Sequence, residues 1–505
     1  MKEMMINVLE YLEETAKRLP NKPAFVSAKA QYTYAELETV AKSVGTAIVR
    51  QSPHRNEPVA VYLEKDARAI AAFMGILYSG NYYLPIDVDM PIERAGLIAE
   101  VAKPQVVITD AKHREAAASI APAASVLLFE EMNDLRLNDT EALWKIRNEM
   151  IDMDPAYVLF TSGSTGVPKG VVITHQSIID YTEWVANTFG ISEDDSFGNQ
   201  APFYFDNSIL DIYTGLKCGA TVYIIPKLCF AFPVSLIKYL DDNKITTIFF
   251  VPSALCNLAK LGMVEKTELP HLKRILFCGE VMPNKYLNMW RKQLPNVQYA
   301  NLYGPTEITD VCTAYIIDRE FADDEDLPIG KACRNTGIIL ITDDNKEAEQ
   351  GEIGEICVRG RSLALGYFGD FSKSSEAFVQ NPTNDKYRDI IYKTGDLGKY
   401  NDRGELLYLG RKDYQIKHMG HRIELGEIET AAGVVDGVET CACVYDDQKG
   451  RIVLFYSGPA ESALIREVLA TKLPDYMIPN IMKQIDCFPY NANGKIDRKV
   501  LKTTL

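Results

Sequence analysis

The 505-residue chain has no cysteine before Cys218, and none of its ten cysteines forms a CxxC pair. A thiolate zinc site or a disulfide framework is therefore not expected, and the thiols read as buried and reduced. Histidine is scarce as well: six are present, with no HExxH pair, which argues against a zinc-hydrolase helix. Long hydrophobic runs are missing, and no window approaches the ~18 apolar residues of a membrane span. The opening MKEMMINVLEYLEETAKRLP carries acids through its apolar stretch, which conflicts with the uninterrupted core of a signal peptide. Positive charge is also short: Lys plus Arg is 54 against 69 Asp plus Glu, a formal net charge of −15. Nucleic acids and anionic membranes bind excess cationic charge, so neither is an expected partner. No internal repeat, Pro/Ser-rich linker or GxxxxGK[ST] phosphate loop occurs, so a solenoid or a Walker-type nucleotidase is not expected.

What is present is an ordinary globular mixture, 47% apolar and 24% charged. Short β-branched runs (PVAVYLE, PQVVITD, SVLLFEE, AYVLFTS, ATVYIIP, TTIFFVP, RILFCGE) are bounded by Gly, Pro or Asp. They read as buried parallel strands. ARAIAAFMGILYSG and PVSLIKYLDDN, lying between such runs, read as helices packed on a sheet. This alternation predicts an α/β fold with layered subdomains. From about Asp343 the texture turns strand-rich and Gly-punctuated, then passes into an α+β tail of small-domain size. A large N-terminal part with a β-rich module and a small C-terminal α+β part are expected, with a hinge near Arg411–Asp413.

The strongest local signal is LFTSGSTGVPKG, residues 159–170. A buried strand runs into a loop of Thr, Ser and Gly that ends in Lys169. Small residues let backbone N–H groups approach a phosphate, hydroxyls add donors, and the lysine adds charge. The segment resembles the phosphate loop of the adenylate-forming superfamily, which includes acyl-CoA synthetases, luciferases and the adenylation domains of nonribosomal peptide synthetases. The resemblance continues in order along nearly the whole chain: QYTYAELE (31–38), LYSGNYYLPID (77–87), YGPTE (303–307), GEICVRGRSLALGY (354–367), YKTGD (392–396), GRKDYQIKHMGHRIELGEIE (410–429), LPDYMIP (473–479) and NANGKIDRK (491–499).

The resemblance implies a two-step reaction. A carboxylate attacks the α-phosphate of ATP to give an acyl-adenylate, and a thiol then displaces AMP. It implies an adenylation domain over 1–412 and a mobile C-terminal domain over 413–505, pivoting at Asp413. It implies that Thr161, Ser162, Gly163, Ser164, Thr165, Gly166 and Lys169 contact phosphate, that Gly279, Glu280, Asn301, Gly304 and Thr306 contribute further nucleotide contacts, and that Glu307 holds Mg²⁺. Tyr303 would stack on adenine or serve as a core tyrosine. Asp396 would accept from the ribose hydroxyls, and Arg411 would donate to ribose or phosphate. Lys495, on the NANGK turn, would bridge the substrate carboxylate and the α-phosphate as the catalytic cation. Rotation at the hinge would withdraw Lys495 and bring Lys417–Arg422 to the site.

PFYFDNSILD (202–211) places Asp206 where amino-acid-activating members keep an aspartate for the substrate ammonium; Asp206 also suits the cap of the following helix. The matching pocket walls are Asn207, Leu210, Phe249, Leu276, Cys278, Leu302, Asp310 and Val311. Bulky apolar walls imply a small substrate side chain. ILFCGEVMP (275–283) resembles the D-alanine–carrier-protein ligases, with a cysteine at Cys278. Asp310 departs from the aliphatic residue expected there. Facing inward it would favour a hydroxyl or amino group on the substrate; facing outward it leaves D-alanine or alanine. No carrier-type serine motif follows Lys495, so the thiol is expected to be the phosphopantetheine of a separate carrier protein, and the protein to be cytoplasmic. The alternatives are adenylation of Ser, Thr or a diamino acid for nonribosomal peptide synthesis, an acyl-CoA ligase, and a non-catalytic adenylate-binding protein.

Overall fold

The computed structural model describes residues 5–133, 137–163, 166–489 and 496–505. Each apolar run picked out in the sequence forms a strand, from Pro58–Tyr62 to Arg274–Phe277. A nine-stranded sheet contains Pro23–Val26, Thr221–Ile224, Ser196–Asn199, Thr247–Phe250, Arg274–Phe277 and Gln298–Tyr303 side by side and parallel. A seven-stranded sheet is parallel through Tyr82–Pro85, Pro58–Tyr62, Val106–Thr109 and Ser125–Leu128. Strands whose neighbours lie on both sides and whose faces are covered by helices must be apolar throughout, which is why these runs do not alternate. One hydrophobic cluster joins the helices Tyr34–Gln51, Ala67–Tyr78 and Asn207–Cys218 to both sheets.

Strand Pro155–Thr161 continues the parallel pattern beside Tyr82–Pro85, and the next strand reverses it. Pro155–Thr161 pairs antiparallel with Lys169–Thr174, so the Ser/Gly-rich segment is a hairpin connection and does not open a helix. No helix dipole is therefore directed along this connection. The Gly-punctuated region forms a five-stranded antiparallel sheet that includes Gly354–Gly360 and Ile390–Tyr400. Beyond it lie the hairpin Gln415–His418/His421–Glu424, helix Leu425–Gly433, and a three-stranded sheet of Thr440–Asp446, Arg451–Ser457 and Ile481–Gln484 with its own hydrophobic cluster. The expected α/β architecture is thus present. No helix among the described residues is long and apolar enough to cross a membrane. The cysteines described are free thiols, and six are buried; Cys487 is an exception and lies exposed.

Helices Tyr34–Gln51 and Ala67–Tyr78 cross at close range. A methyl group on Gly75 would lie 2.5 Å from Cβ and Cγ1 of Val44 and 2.8 Å from the Ala41 carbonyl oxygen. Gly96, in helix Ile92–Ala102, faces open space. Gly75→Ala is expected to lower stability by about 1–3 kcal/mol through overpacking. Gly96→Ala is expected to raise it by about 0.5–1 kcal/mol through helix propensity. Urea unfolding of the two variants checks the opposite signs.

Candidate active site

The ends of the parallel strands, the phosphate hairpin and the C-terminal hairpin converge on one cavity. Its wall includes Thr161, Ser162, Asp206, Asn207, Cys278, Gly279, Gly304, Thr306, Asp396 and Arg411, together with Lys417, Gly420, Arg422 and Tyr476. Residues separated by hundreds of positions meet here because strand ends and the loops that follow them gather at one edge of a parallel sheet.

Thr161 ends the buried strand, and its hydroxyl is buried without a partner. An orphaned donor on the cavity wall fits an incoming phosphate oxygen. The Ser162 hydroxyl already has partners: it donates to the Arg422 carbonyl at 2.8 Å and accepts from the Glu424 amide at 3.2 Å. Lys169 sits 3.6 Å from Glu424 and over the Tyr367 ring. Burial, and next the Arg422 cation, lower its pKa. Ser164, Thr165 and Lys495 lie outside the described residues.

Glu307 is fully buried. Tyr367 donates its hydroxyl to Oε1 at 2.8 Å, and Arg422 donates Nη1 to Oε2 at 2.7 Å. Burial alone would raise the carboxyl pKa; Arg422 first and then Lys169 override it and hold it at about 2. The carboxylate has the hard oxygens a divalent ion needs, but in this arrangement both already accept from neighbours. No group of three or more His, Cys, Asp or Glu side chains among the described residues could hold a metal. Glu307 as placed therefore does not offer the Mg²⁺ site that its motif implies.

Asp396 lies opposite the phosphate hairpin. Its Oδ2 accepts from the Tyr303 hydroxyl at 2.6 Å and its Oδ1 from Arg411 Nη1 at 2.7 Å. Arg411 also donates from Nε and Nη2 to both oxygens of Asp413. One guanidinium thus ties Asp396 and Asp413 together. Lys417 stands over the Tyr303 ring, 5.4 Å from its centroid, on the aromatic surface expected for adenine.

Asp206 caps helix Asn207–Cys218 by accepting from the Asn207 amide at 2.9 Å, and it also lines the cavity. Burial raises its pKa, opposed first by the Thr306 side chain and then by Lys417. Leu210, Phe249, Leu276, Leu302 and Val311 belong with buried Cys278 to one hydrophobic cluster. Asp310 turns inward, is nearly fully buried, and accepts from the Tyr181 hydroxyl at 2.5 Å. Burial pushes its carboxyl well up, and Asp206 adds to the rise. Thr309 and Asp310 both adopt left-handed backbone, φ 63° and 74°, a strained bend for a β-branched residue. Gly304 is required beside it: a methyl group there would meet the Asp310 carbonyl oxygen at 2.3 Å.

Two expected nucleotide contacts are engaged in the scaffold. Glu280 accepts from the Ser253 amide at 2.9 Å, and Asn301 donates to the Pro328 carbonyl at 2.9 Å. Sequence reading missed Tyr367, whose only signal was the GY closing its motif, and missed the pairing of Arg422 with Glu307.

A model of the AMP-binding enzyme family matches residues 12–368. The D-alanine–D-alanyl carrier protein ligase of Bacillus cytotoxicus is 32% identical over 98% of this chain and 99% of its own length. Tyrocidine synthase 1 of Brevibacillus parabrevis is 30% identical over 98% of this chain, which spans 45% of that protein. Among solved structures, IdnL1 superposes with a TM-score of 0.83 at 26% identity, covering 96% of this chain and 99% of that one. The Vibrio cholerae adenylation domain AlmE, solved with glycyl-adenosine-5′-phosphate, has the same fold, with a TM-score of 0.83 at 22% identity over 100% of this chain and 99% of that one. With its phosphate hairpin, its YGPTE turn and a match spanning most of its length, this chain belongs to the AMP-binding enzyme family.

Proposed function

We propose that the protein is an AMP-forming ligase that activates a small amino acid, D-alanine first, with ATP and passes it to the phosphopantetheine thiol of a separate carrier protein in the cytoplasm. The observation that carries this reading is Asp206, a buried carboxylate on the cavity wall beside Cys278. An ammonium is the partner such a group calls for, and a plain acyl substrate has none. The full-length likeness to D-alanine–D-alanyl carrier protein ligases supports it. The packed Leu210, Phe249, Leu276 and Leu302 favour a small side chain.

In the first half-reaction, a carboxylate oxygen of the amino acid bonds to the α-phosphorus as the bond to pyrophosphate breaks. Thr161 and Lys169 would hold phosphate oxygens, Asp396 the ribose, and Lys495 both reacting anions. In the second, the thiol sulfur bonds to the acyl carbon and AMP leaves with the bonding electrons. The hinge would lie at Asp413, between an adenylation domain over 1–412 and a mobile domain over 413–505. ATP would enter with Mg²⁺ offsetting its phosphate charge.

A second reading has its own support. Asp310 is buried near Asp206, and the Tyr157 hydroxyl, whose neighbours include both, is buried without a partner. A serine, threonine or diamino acid side chain would meet these groups.

Amino-acid-dependent ATP–pyrophosphate exchange across D- and L-amino acids tests the main reading. D-alanine is expected to be the best substrate and phenylalanine and tryptophan inactive; preference for an aromatic amino acid would sink it. Asp206→Ala is expected to raise the KM for the amino acid far more than for ATP, a loss of roughly 3–5 kcal/mol. Comparable exchange with propionate would reduce Asp206 to a helix cap. Asp310→Val should leave D-alanine activation unchanged. If the wild type instead prefers a hydroxylated or diamino acid and Asp310→Val erases that preference, the second reading holds. Lys495→Ala should slow exchange on the order of 10²–10³ or more, while thiol transfer from preformed adenylate suffers much less.

A further inference from the structure

Residues 200–206 join strand Ser196–Asn199 to helix Asn207–Cys218 and carry Asp206 to the cavity with neither helix nor strand of their own. A lysine outside every motif holds this connection. Lys65, between strand Pro58–Tyr62 and helix Ala67–Tyr78, donates from Nζ to the carbonyls of Asn199 at 3.2 Å and Gln200 at 2.8 Å. The same Nζ stands 5.9 Å from the centre of the Phe203 ring. The fully buried Asn199 side chain in turn donates to Oδ2 of Asp211, in the second turn of the helix, at 2.9 Å. Gln200 extends the brace, its Oε1 accepting from the Val251 amide at 2.8 Å. Oδ1 of Asp211 is buried without a hydrogen-bond partner. Burial lowers the Lys65 pKa to about 7, opposed by Asp211 and then Asp87; it raises that of Asp211 to about 7, opposed by the Asn199 side chain and then Lys65.

We propose that Lys65 is a positioning residue for amino-acid recognition: with Asn199 and Asp211 it sets the place of Asp206 on the cavity wall. Bonds to two successive carbonyls fix the direction in which the chain leaves the strand. The bond from Asn199 to Asp211 fixes the start of the helix against that same strand end. Asp206 lies between the two fixed points, so its carboxylate is held from both sides. Enclosing a cation near a buried carboxylate is costly, and apolar groups of similar volume are often as stable or more so. Stability gives no reason for Lys65 and Asp211 here; what they supply is position. Lys65 is not part of the cavity wall, so it acts through Asp206 and not on the substrate. The inference rests on Asp206 receiving the substrate ammonium, as proposed above, and it is independent of which amino acid is activated.

The test compares Lys65→Met, which keeps the length of the side chain and removes its charge, with the full wild-type chain. ATP–pyrophosphate exchange is measured with the amino acid that supports the fastest wild-type rate. The KM for that amino acid is expected to rise on the order of ten- to a hundredfold, as when a binding group is misplaced by about 1 Å. The KM for ATP and kcat should be unchanged. In an Asp206→Ala background the same substitution should add nothing, because the group it positions is gone. Where Lys65→Met fails to fold, Asp211→Asn keeps an acceptor for Asn199 and removes the charge facing Lys65; it should raise the same KM selectively. An unchanged amino-acid KM, a parallel loss for ATP, or an effect that adds fully to that of Asp206→Ala overturns the proposal. Failure of the Asp206 reading shows separately, as an unaltered amino-acid KM in Asp206→Ala or as no amino-acid-dependent exchange in the wild type. Hydrogen exchange then decides for Lys65. Its substitution should speed exchange at the Ser208 and Ile209 amides, which donate to the Phe205 and Asp206 carbonyls, and unchanged exchange at both overturns the proposal as well.

Discussion

The ion pair between Arg422 and Glu307 organises this structure. A carboxylate with no exposure to water must be paired, because an uncompensated buried charge is among the costliest features a fold can carry. Pairing it with Arg422 brings in the C-terminal hairpin, and the hairpin brings its tip. Gly420, with φ +80°, packs so tightly on Val251 that a methyl group there would fall 2.4 Å from Cγ1. His421 inserts between Phe205 and Tyr476, stacked on the latter at 3.5 Å between ring centroids. Burial, with His418 adding to it, holds its imidazole near pKa 3 and hence neutral, so the insertion buries no second charge.

The same contact surface is secured away from the cavity by Arg94 and Glu427, a buried pair between helix Ile92–Ala102 and helix Leu425–Gly433. Its Glu427 Oε2 has no further partner, so the pair is only partly satisfied. A surface held by paired charges with incomplete hydrogen bonding is easier to separate than an apolar one of equal area, since water can re-satisfy each group. The Arg411 fork holds Asp396 and Asp413 together at the start of this part of the chain.

At the pocket floor the balance runs the other way. Asp206, Asp310 and Tyr157 are gathered within an apolar shell, and burial shifts each toward its neutral form. Asp310 is held by a left-handed backbone and by the Tyr181 hydroxyl, while the Tyr157 hydroxyl is left without a partner.

The sequence alone determined a good deal. Strand runs such as TTIFFVP and RILFCGE were legible because strands covered on both faces must be apolar throughout, and that constraint is local. The phosphate hairpin and the YGPTE turn were legible because their chemistry lies within a few consecutive residues. The antiparallel return of Lys169–Thr174 was not, since nothing in Ser/Gly-rich spacing distinguishes a hairpin from a loop entering a helix. The bonds of Glu280 to the Ser253 amide and of Asn301 to the Pro328 carbonyl were not legible either. Whether Asp310 faced inward or outward depended on Tyr181, 129 residues away. The occupant of Glu307 depended on Arg422, 115 residues away and on another sheet. Only the tertiary structure decided these, because a side chain's direction and its charge partner follow from how distant segments pack, and local pattern carries no record of that packing.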